Sequence, residues 1–235
     1  MPLPKIDLPL FDVKIPSTGK TVMFRPFLVK EEKILLIAQQ SGSDADIVRA
    51  IKQIIQNCVQ DPIDIDSLAV FDLEYMFLKL RATSVNNIVK LAYRDTEDDK
   101  TYDFEVDLNT IELDMDKRVD PKIMVNDSVG IVMKYPDAGI TNRMGEFEDE
   151  VDLMTFFIVN CIDTIYDEES VYPASDYSEA ELREFLDQLD VNTFDKIRQF
   201  FEGIPRLYHK IEYKNSFGND RVIELNNLKD FFMWG

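Results

Sequence analysis

The first third of the chain repeats apolar residues at intervals of three and four, the pattern of an α-helix with one buried face. The clearest case predicts a helix that begins after Ser43, a residue suited to cap it, and ends before Pro62. Its apolar positions are Ile47, Ile51, Ile54, Ile55 and Cys58. Further helices are predicted over residues 29–40 and 67–82. We therefore expect a block of packed helices in this region.

Segments that alternate apolar and polar residues flank the helical block, as β-strands with one buried face do. Strands are predicted over residues 13–15, 21–24, 88–93, 101–106, 109–113 and 129–134. Gly19 is expected in the turn of the first hairpin, because a tight turn often needs a positive φ angle. The polar run Arg94–Lys100 is expected to form the tip of the next hairpin. These segments predict antiparallel hairpins on both sides of the helices.

The last third returns to helical patterns and contains one more hairpin. Helices are predicted over residues 149–166, 178–189, 192–203 and 228–234, and strands over 207–213 and 221–225. The first of these helices is strongly apolar, so we expect it to form the centre of a second core. Ser178 and Glu181 have the spacing of a capping box, in which each side chain binds the backbone N–H of the other residue.

Together these patterns predict an α+β fold in which helical clusters and antiparallel β-hairpins are segregated along the chain. Residues 1–12, where three prolines alternate with apolar residues, are predicted to form an extended arm. A domain of hairpin, helices and β-hairpin is predicted over residues 13–125. A mainly helical C-terminal domain that includes the terminal hairpin is predicted over residues 126–235.

The excess of acidic residues indicates which classes of partner the chain can bind. The chain has 26 Lys and Arg residues against 45 Asp and Glu residues, a net charge of −19. Nucleic-acid binding depends on cations that neutralise phosphates, so we expect no nucleic-acid partner. A basic protein partner would instead be attracted. No apolar run reaches the roughly 20 residues of a membrane span, so we expect no membrane segment.

No motif in the sequence predicts catalysis or a bound cofactor. Residues 16–21 end in Gly-Lys-Thr, as a phosphate-binding loop does, but Lys14 replaces the required glycine and a strand follows, so a hairpin turn is predicted. His209 lacks the sequence partners of a catalytic triad or a zinc site and is expected at the surface. Cys58 and Cys161 lie in apolar runs and are expected to be buried free thiols.

Acidic residues are numerous, but none of their clusters has the spacing of a calcium loop, and no metal site is predicted. We expect most of these clusters, including Asp95–Asp99, to lie on solvated surfaces or at helix N-termini. A carboxylate pair that catalyses hydrolysis is an alternative, although pairs arise by chance among so many acids. Arg25, between Phe24 and Pro26, is expected to form an internal ion pair in preference to a partner contact.

Aromatic residues are dense near the end of the sequence. The candidate partner-binding residues are Phe200, Phe201, Phe231, Phe232 and Trp234. So many aromatic side chains in short helices predict either a tightly packed small core or a protein-binding patch, because aromatic anchors dominate interface energetics. Self-association into an oligomer is left open.

Three stretches, considered with their order and spacing, resemble a known family. They are Phe24–Leu36, Phe71–Ala82 and Leu225–Phe232. They resemble the T-even-type (myovirus) phage baseplate hub and hub-assembly proteins, over residues 13–113 and 204–232, whereas residues 114–200 are not distinctive. In relatives the tip between the two middle strands can carry cysteines, as in a zinc ribbon. Arg94–Lys100 contains none, so the resemblance implies no metal here.

The resemblance implies a non-enzymatic role in building the central hub of a contractile tail, as a baseplate component or as an assembly chaperone. The implied partners are hub and tape-measure proteins. The implied location is the host cytoplasm during assembly, or the tail baseplate of the virion. An acidic adaptor outside phage tails and a carboxylate-dependent hydrolase are the alternatives.

Overall fold

The computed structural model describes residues 7–41, 43–115 and 119–232, apart from the side chains of Asp44, Met144 and Phe232. These residues form a mixed α+β fold, which confirms the predicted class. The α-helices are α1 (Val29–Ser41), α2 (Asp44–Cys58), α3 (Val70–Ser84), α4 (Glu150–Asn160), α5 (Glu179–Leu186), α6 (Val191–Glu202) and α7 (Leu228–Phe232). The strands are β1 (Phe11–Lys14), β2 (Thr21–Phe24), β3 (Ile88–Arg94), β4 (Thr101–Asp107), β5 (Glu112–Asp114), β6 (Lys122–Met124), β7 (Gly130–Met133), β8 (Ile162–Tyr166), β9 (Val171–Pro173), β10 (Arg206–Lys214) and β11 (Asp220–Leu225).

The chain divides into two compact units. Unit 1 contains residues 1–65, 71–114 and 206–235, and unit 2 contains residues 66–70 and 115–205. Each unit has its own buried apolar residues, in keeping with the usual construction of a domain around one core.

Unit 1 is discontinuous because one of its sheets joins distant segments. Strand β10 pairs antiparallel with β11 on one side and with β5 on the other. Leu207 of β10 lies opposite Leu113 of β5 and is fully buried. The terminal hairpin therefore belongs to unit 1, whereas the sequence pattern assigned it to a domain over residues 126–235. Pairing between strands this far apart leaves no local signal in the sequence.

The helical block and its hairpins in unit 1 follow the sequence prediction. Strands β1 and β2 form the first hairpin, and Gly19 in its turn has a φ angle of 71°. The hydroxyl of Ser43 accepts a hydrogen bond from the Asp46 N–H at 3.4 Å and so caps α2. Strands β3 and β4 pair along their whole length, with Asp95–Lys100 as the tip. Of the predicted arm, residues 11–12 lie in β1 and residues 1–6 lie outside the described ranges.

Arg25 forms the internal ion pair that the sequence predicted. Its guanidinium donates to the Glu31 carboxylate at 2.9 Å and to the Asn57 carbonyl at 2.8 Å. Glu31 is fully buried and also accepts the Leu28 N–H at the start of α1. Burial alone would raise the pKa of the Glu31 carboxyl, but the Arg25 guanidinium and the Leu28 N–H together hold it below its ordinary value. The pair fastens the β2 end to α1 and to the C-terminal end of α2.

The tips of the two long hairpins of unit 1 are joined by a polar latch. We define the latch as Asp95, Glu97 and Asp98 of the β3–β4 tip together with the residues of the β10–β11 hairpin that they bind. Glu97 accepts the side-chain amides of Asn215 and Asn219, both at 2.6 Å. The latch overturns the prediction of a solvated cluster at Asp95, which is fully buried.

The buried Asp95 carboxylate is satisfied from the facing hairpin. It accepts the Tyr213 hydroxyl and the Arg221 Nε, the latter at 3.1 Å. The hydrogen bond from Tyr213 is the main reason that the pKa of Asp95 lies below its ordinary value. Asp98 accepts both the N–H and the hydroxyl of Ser216, at 2.8 and 2.7 Å. These bonds hold together two loops that are far apart in sequence.

Unit 2 is built around a four-stranded antiparallel sheet in the order β6-β7-β8-β9. Its core includes Ile131 of β7, Phe156 of α4 and Ile197 of α6. The prediction of one helix over residues 149–166 is wrong at its end, since α4 stops at Asn160 and residues 162–166 form β8. The β-branched residues of this segment suit a strand, and pairing with β7 and β9 decides the outcome.

The remaining sequence predictions concern single residues and membrane association. Cys58 and Cys161 are fully buried, as predicted, and burial raises the pKa of their thiols to about 11 and about 12. His209 is half-buried on β10, where burial lowers its pKa. Within the described ranges, no helix combines the length and the apolar character that crossing a bilayer requires.

Candidate partner-binding groove

An open groove in unit 2 lies between the β8–β9 hairpin and α5. It encloses a cavity of about 410 Å³ and is called the Tyr177 groove below. The residues that line it are Val129, Ile165, Tyr166, Asp167, Tyr172, Tyr177, Glu181, Leu182 and Phe185. Seven of the nine are aliphatic or aromatic, apart from the tyrosine hydroxyls. Tyr177 itself is exposed, so the floor offers apolar surface to a ligand. None of the described lining residues is a lysine or an arginine.

One carboxylate of the groove belongs to the turn between β8 and β9. Asp167 accepts the N–H groups of Glu169 and Ser170 at 2.9 and 2.8 Å, and the Tyr172 hydroxyl at 2.9 Å. These bonds, led by that of the Glu169 N–H, hold the pKa of Asp167 below its ordinary value. Asp167 is therefore an anion at neutral pH, and it fixes the Tyr172 ring at one side of the groove.

The other carboxylate belongs to the capping box of α5, which forms as the sequence predicted. The Glu181 carboxylate accepts the Ser178 N–H at 2.8 Å, and the Ser178 hydroxyl accepts the Glu181 N–H at 3.3 Å. The Ser178 side chain, which also donates to this carboxylate, is the main reason that the pKa of Glu181 lies below its ordinary value. Both rim carboxylates of the groove are thus ionised, and a cation would be favoured between them.

The aromatic side chains of the groove are held in defined positions. The rings of Tyr172 and Tyr177 meet edge to face with centroids 6.5 Å apart. Tyr166 lies opposite Gly130 in the β7–β8 pairing, and its ring covers that glycine. Its hydroxyl contacts the Met124 sulfur at 3.3 Å. Rigid aromatic walls lower the entropy cost of binding a partner.

Replacing Gly130 by alanine is expected to disturb this wall. A Cβ at this position would lie 2.3 Å from the Tyr166 Cζ, so the Tyr166 ring would have to leave its place. We expect a loss of about 1 to 3 kcal/mol in the free energy of unfolding, typical of overpacking. Urea denaturation measures the loss, and the NMR signals of the Tyr166 ring report its displacement.

The control for this substitution is Gly145→Ala, because a Cβ there would meet no atom within 4 Å. We expect a change of less than about 0.5 kcal/mol for this control. Equal effects of the two substitutions would contradict the role given to Gly130.

A second cavity, of about 340 Å³, adjoins the Tyr177 groove and shares Tyr177 and Leu182 with it. Its lining is more polar and includes Lys134, Asn160 and Asp163. The two cavities together form a longer surface with an apolar, acidic part and a polar part. This arrangement suits an extended protein segment better than a compact small molecule.

The residues of the predicted aromatic patch that the structure describes differ in exposure. Phe200 is 2% exposed in the core of unit 2, and Phe231 is fully buried in unit 1. For these two residues the predicted alternative of a tightly packed core is confirmed, because a partner cannot reach a buried side chain. Phe201 is half-buried and packs edge to face against Phe200. Its contact with a partner stays a prediction, whereas the Phe232 side chain and Trp234 lie outside the described residues.

The residues of the Tyr177 groove were not predicted from the sequence. Tyr172 and Tyr177 lie on either side of Pro173, just before the Ser178 capping box, in a stretch for which the sequence pattern predicts no helix or strand. The predicted helix through Tyr166 concealed the β8–β9 hairpin that brings these residues together. Two tyrosines beside a helix cap are too weak a signal to identify a groove without that hairpin.

The described residues contain no group of three or more His, Cys, Asp or Glu side chains placed to bind a metal ion. The Tyr177 groove contributes two separate carboxylates that are already hydrogen-bonded to their own turn or helix. The groove thus offers apolar, aromatic surface with two ionised carboxylates at its rim.

Comparisons with known proteins identify the family to which the chain belongs. Neither the curated proteins nor the solved structures contain a match to this chain. A family model described as "T4 bacteriophage base plate protein" matches residues 8–233, nearly the whole chain and both units. The match confirms the resemblance seen in the sequence and extends it across residues 114–200. This chain is therefore a phage baseplate protein that belongs to the T4 bacteriophage base plate protein family.

Proposed function

We propose that this baseplate protein helps to build the central hub of a contractile tail by binding hub and tape-measure proteins without chemical turnover. Membership of the baseplate family supports a structural role. The observation that carries the finer proposal is the Tyr177 groove, which has an apolar, aromatic floor and an acidic rim. The net charge of −19 supports the same reading, because it would steer a basic partner towards the chain.

The groove has the features of a protein interface centre. Aromatic side chains, above all tyrosine, supply much of the binding energy at such sites, and charged neighbours set specificity. A partner segment with an apolar side chain beside a lysine or arginine would bury its apolar part against Tyr177 and Phe185. Its cation would then lie near Asp167 and Glu181. We propose that a hub or tape-measure protein supplies this segment.

The proposed role is compatible with either a transient chaperone or a permanent baseplate component. A chaperone covers its partner only until assembly, whereas a component stays bound in the particle. Mass spectrometry of purified virions distinguishes these cases, since a component is present at a fixed ratio to the hub proteins. Affinity purification of the tagged full-length chain from infected cells identifies the partners in either case.

Tyr177→Ala is expected to lower the capture of the hub or tape-measure partner by about 30-fold, the effect of losing a central aromatic anchor worth about 2 kcal/mol. Tyr177 is exposed, so we expect the variant to remain folded. Quantitative mass spectrometry of the affinity-purified complexes measures the effect.

Val191→Ala is the matched control, because Val191 is an exposed apolar residue of unit 2 outside the groove. We expect unchanged capture for this variant. The proposal fails if the unaltered chain captures no tail protein. The assignment to the groove fails if Tyr177→Ala captures as much partner as Val191→Ala.

A further inference from the structure

Helix α1 is apolar on two opposite sides, although unit 1 covers only one of them. Leu35 and Ala38 point inward and are buried. Val29, Leu36 and Ile37 point outward and are 73%, 48% and 68% exposed. Large apolar residues that share one side of a helix are normally covered by a neighbouring element. The outer side of α1 therefore has the composition of a surface that another molecule covers.

Helix α2, the neighbour of α1, shows what a solvent-facing helix looks like in the same unit. Its apolar residues Ala50, Ile51, Ile54, Ile55 and Cys58 are buried. Its exposed positions include Arg49, Gln53 and Gln56, which are polar and one or two turns apart. The outward apolar residues of α1 are therefore not a general property of this helical block.

The outer side of α1 is also unusual in charge. Its exposed residues are Val29, Lys30, Lys33, Leu36, Ile37, Gln40 and Ser41, which we call the α1 face. This face contains two lysines and no carboxylate, in a chain with 45 acidic residues. Both glutamates of α1 lie off this face, with one oxygen of Glu32 buried and Glu31 bonded to Arg25. The buried Glu31 carboxylate also lies 3.5 Å from the Lys30 ammonium. Within the described residues, Lys33 has no carboxylate at salt-bridge distance.

We infer that the α1 face docks against an acidic, partly apolar surface of another baseplate protein. The inference rests on the proposed function, since it takes the partner from among the tail proteins. The anchors Val29, Leu36 and Ile37 are spaced at i, i+7 and i+8, as on a helix that lies in an apolar groove. A carboxylate at the rim of that groove would pair with Lys33. A lipid surface or a nucleic acid fits less well, because an extended polyanion would also meet the rest of a chain with a net charge of −19. A protein surface can instead confine its carboxylates to the rim that faces Lys33.

The test replaces Leu36 by the photo-reactive amino acid benzoylphenylalanine in the tagged full-length chain, expressed in infected cells and irradiated. We expect a cross-link to one other tail protein, in a peptide that carries Asp or Glu beside apolar residues. Adding Lys33→Glu is expected to lower the yield at least tenfold. The same probe at Gln53 of α2 is the control and is expected to give no cross-link to that protein.

A parallel probe at Tyr177 separates this inference from the proposed function. A tail protein cross-linked from Tyr177 but none from Leu36 overturns the inference and leaves the proposed function standing. A cross-link from Leu36 only to a second copy of this chain also overturns it, in favour of self-assembly. If neither position gives a cross-link to a tail protein, both proposals fail.

Discussion

Arg25→Ala is expected to lower the free energy of unfolding by about 3 to 5 kcal/mol, the range for removing one partner of a buried ion pair. The side chain of Arg25 is 12% exposed, and at 2.9 Å it is the closer of the two cations beside the fully buried Glu31 carboxylate, the other being the exposed Lys30 at 3.5 Å. Without it, Glu31 either stays ionised with only the largely exposed Lys30 ammonium beside it or takes up a proton. The Asn57 carbonyl also loses its guanidinium donor. Denaturation in urea at pH 7, followed by far-UV circular dichroism, measures the loss.

Arg49→Ala provides the matched control, because it removes an arginine from an exposed ion pair of the same unit. Arg49 binds Asp46 at 2.8 Å, with both side chains largely in solvent. Such pairs contribute only about 0 to 1 kcal/mol. A loss at Arg25 no larger than the loss at Arg49 would show that the buried pair does not stabilise unit 1.

The second large effect is a decline in stability as the pH rises from about 4.5 to about 7. Glu74 of α3 faces α7, where burial raises the pKa of its carboxyl to about 7 despite a hydrogen bond from the Leu228 N–H, and the charge of Asp230 adds to the rise. The folded chain therefore holds a proton that the unfolded chain has already lost in this range. The titration of Glu74 therefore lowers the free energy of unfolding by about 3 kcal/mol as the pH rises, since each tenfold change in proton affinity corresponds to about 1.4 kcal/mol.

Glu74→Gln removes this titration and is the direct test. The glutamine oxygen can still accept the Leu228 N–H, and no charge is buried. We expect the variant to match the unaltered chain near pH 4.5 and to exceed it in unfolding free energy by up to about 3 kcal/mol at pH 8. Glu105→Gln, at an exposed carboxylate of β4, is expected to change little at either pH. Parallel pH profiles for Glu74→Gln and the unaltered chain would refute this account.

Elements whose signals lie within a few residues were predictable from the sequence. The Ser178 capping box and the Ser43 cap each depend on groups three residues apart, and both form. The first hairpin depends on Gly19 and the alternation beside it. Arg25 was recognisable because a cation between apolar residues needs a nearby anion, and Glu31 lies only six positions away.

Elements that depend on distant partners were not predictable in the same way. The segment that forms β8 continues an apolar helix in sequence, and only its neighbours β7 and β9 make it a strand. The placement of the terminal hairpin depends on β5, and the burial of Asp95 depends on Tyr213 and Arg221. Patterns of residue spacing over a short stretch of sequence cannot predict these pairings between distant segments.

The candidate site was the least predictable part, for the same physical reason. The Tyr177 groove needs a β-hairpin and a helix to converge, and each supplies side chains with ordinary local roles. The aromatic residues that stood out in the sequence, Phe200 and Phe231, stood out because cores need them. A high density of aromatic residues in the sequence is typical of a packed core, and by itself it does not show that those side chains are accessible to a partner.

The discontinuous course of unit 1 has a consequence for how the protein emerges from the ribosome. Unit 2 is encoded entirely before residue 206, so all of its strands and helices are available while two strands of the β5–β10–β11 sheet are still untranslated. Until then the acidic loop at Asp95 has no Tyr213 or Arg221 to neutralise and cover it. Unit 1 thus enters the chain before unit 2 but is completed after it, the reverse of the usual N-terminal-first order.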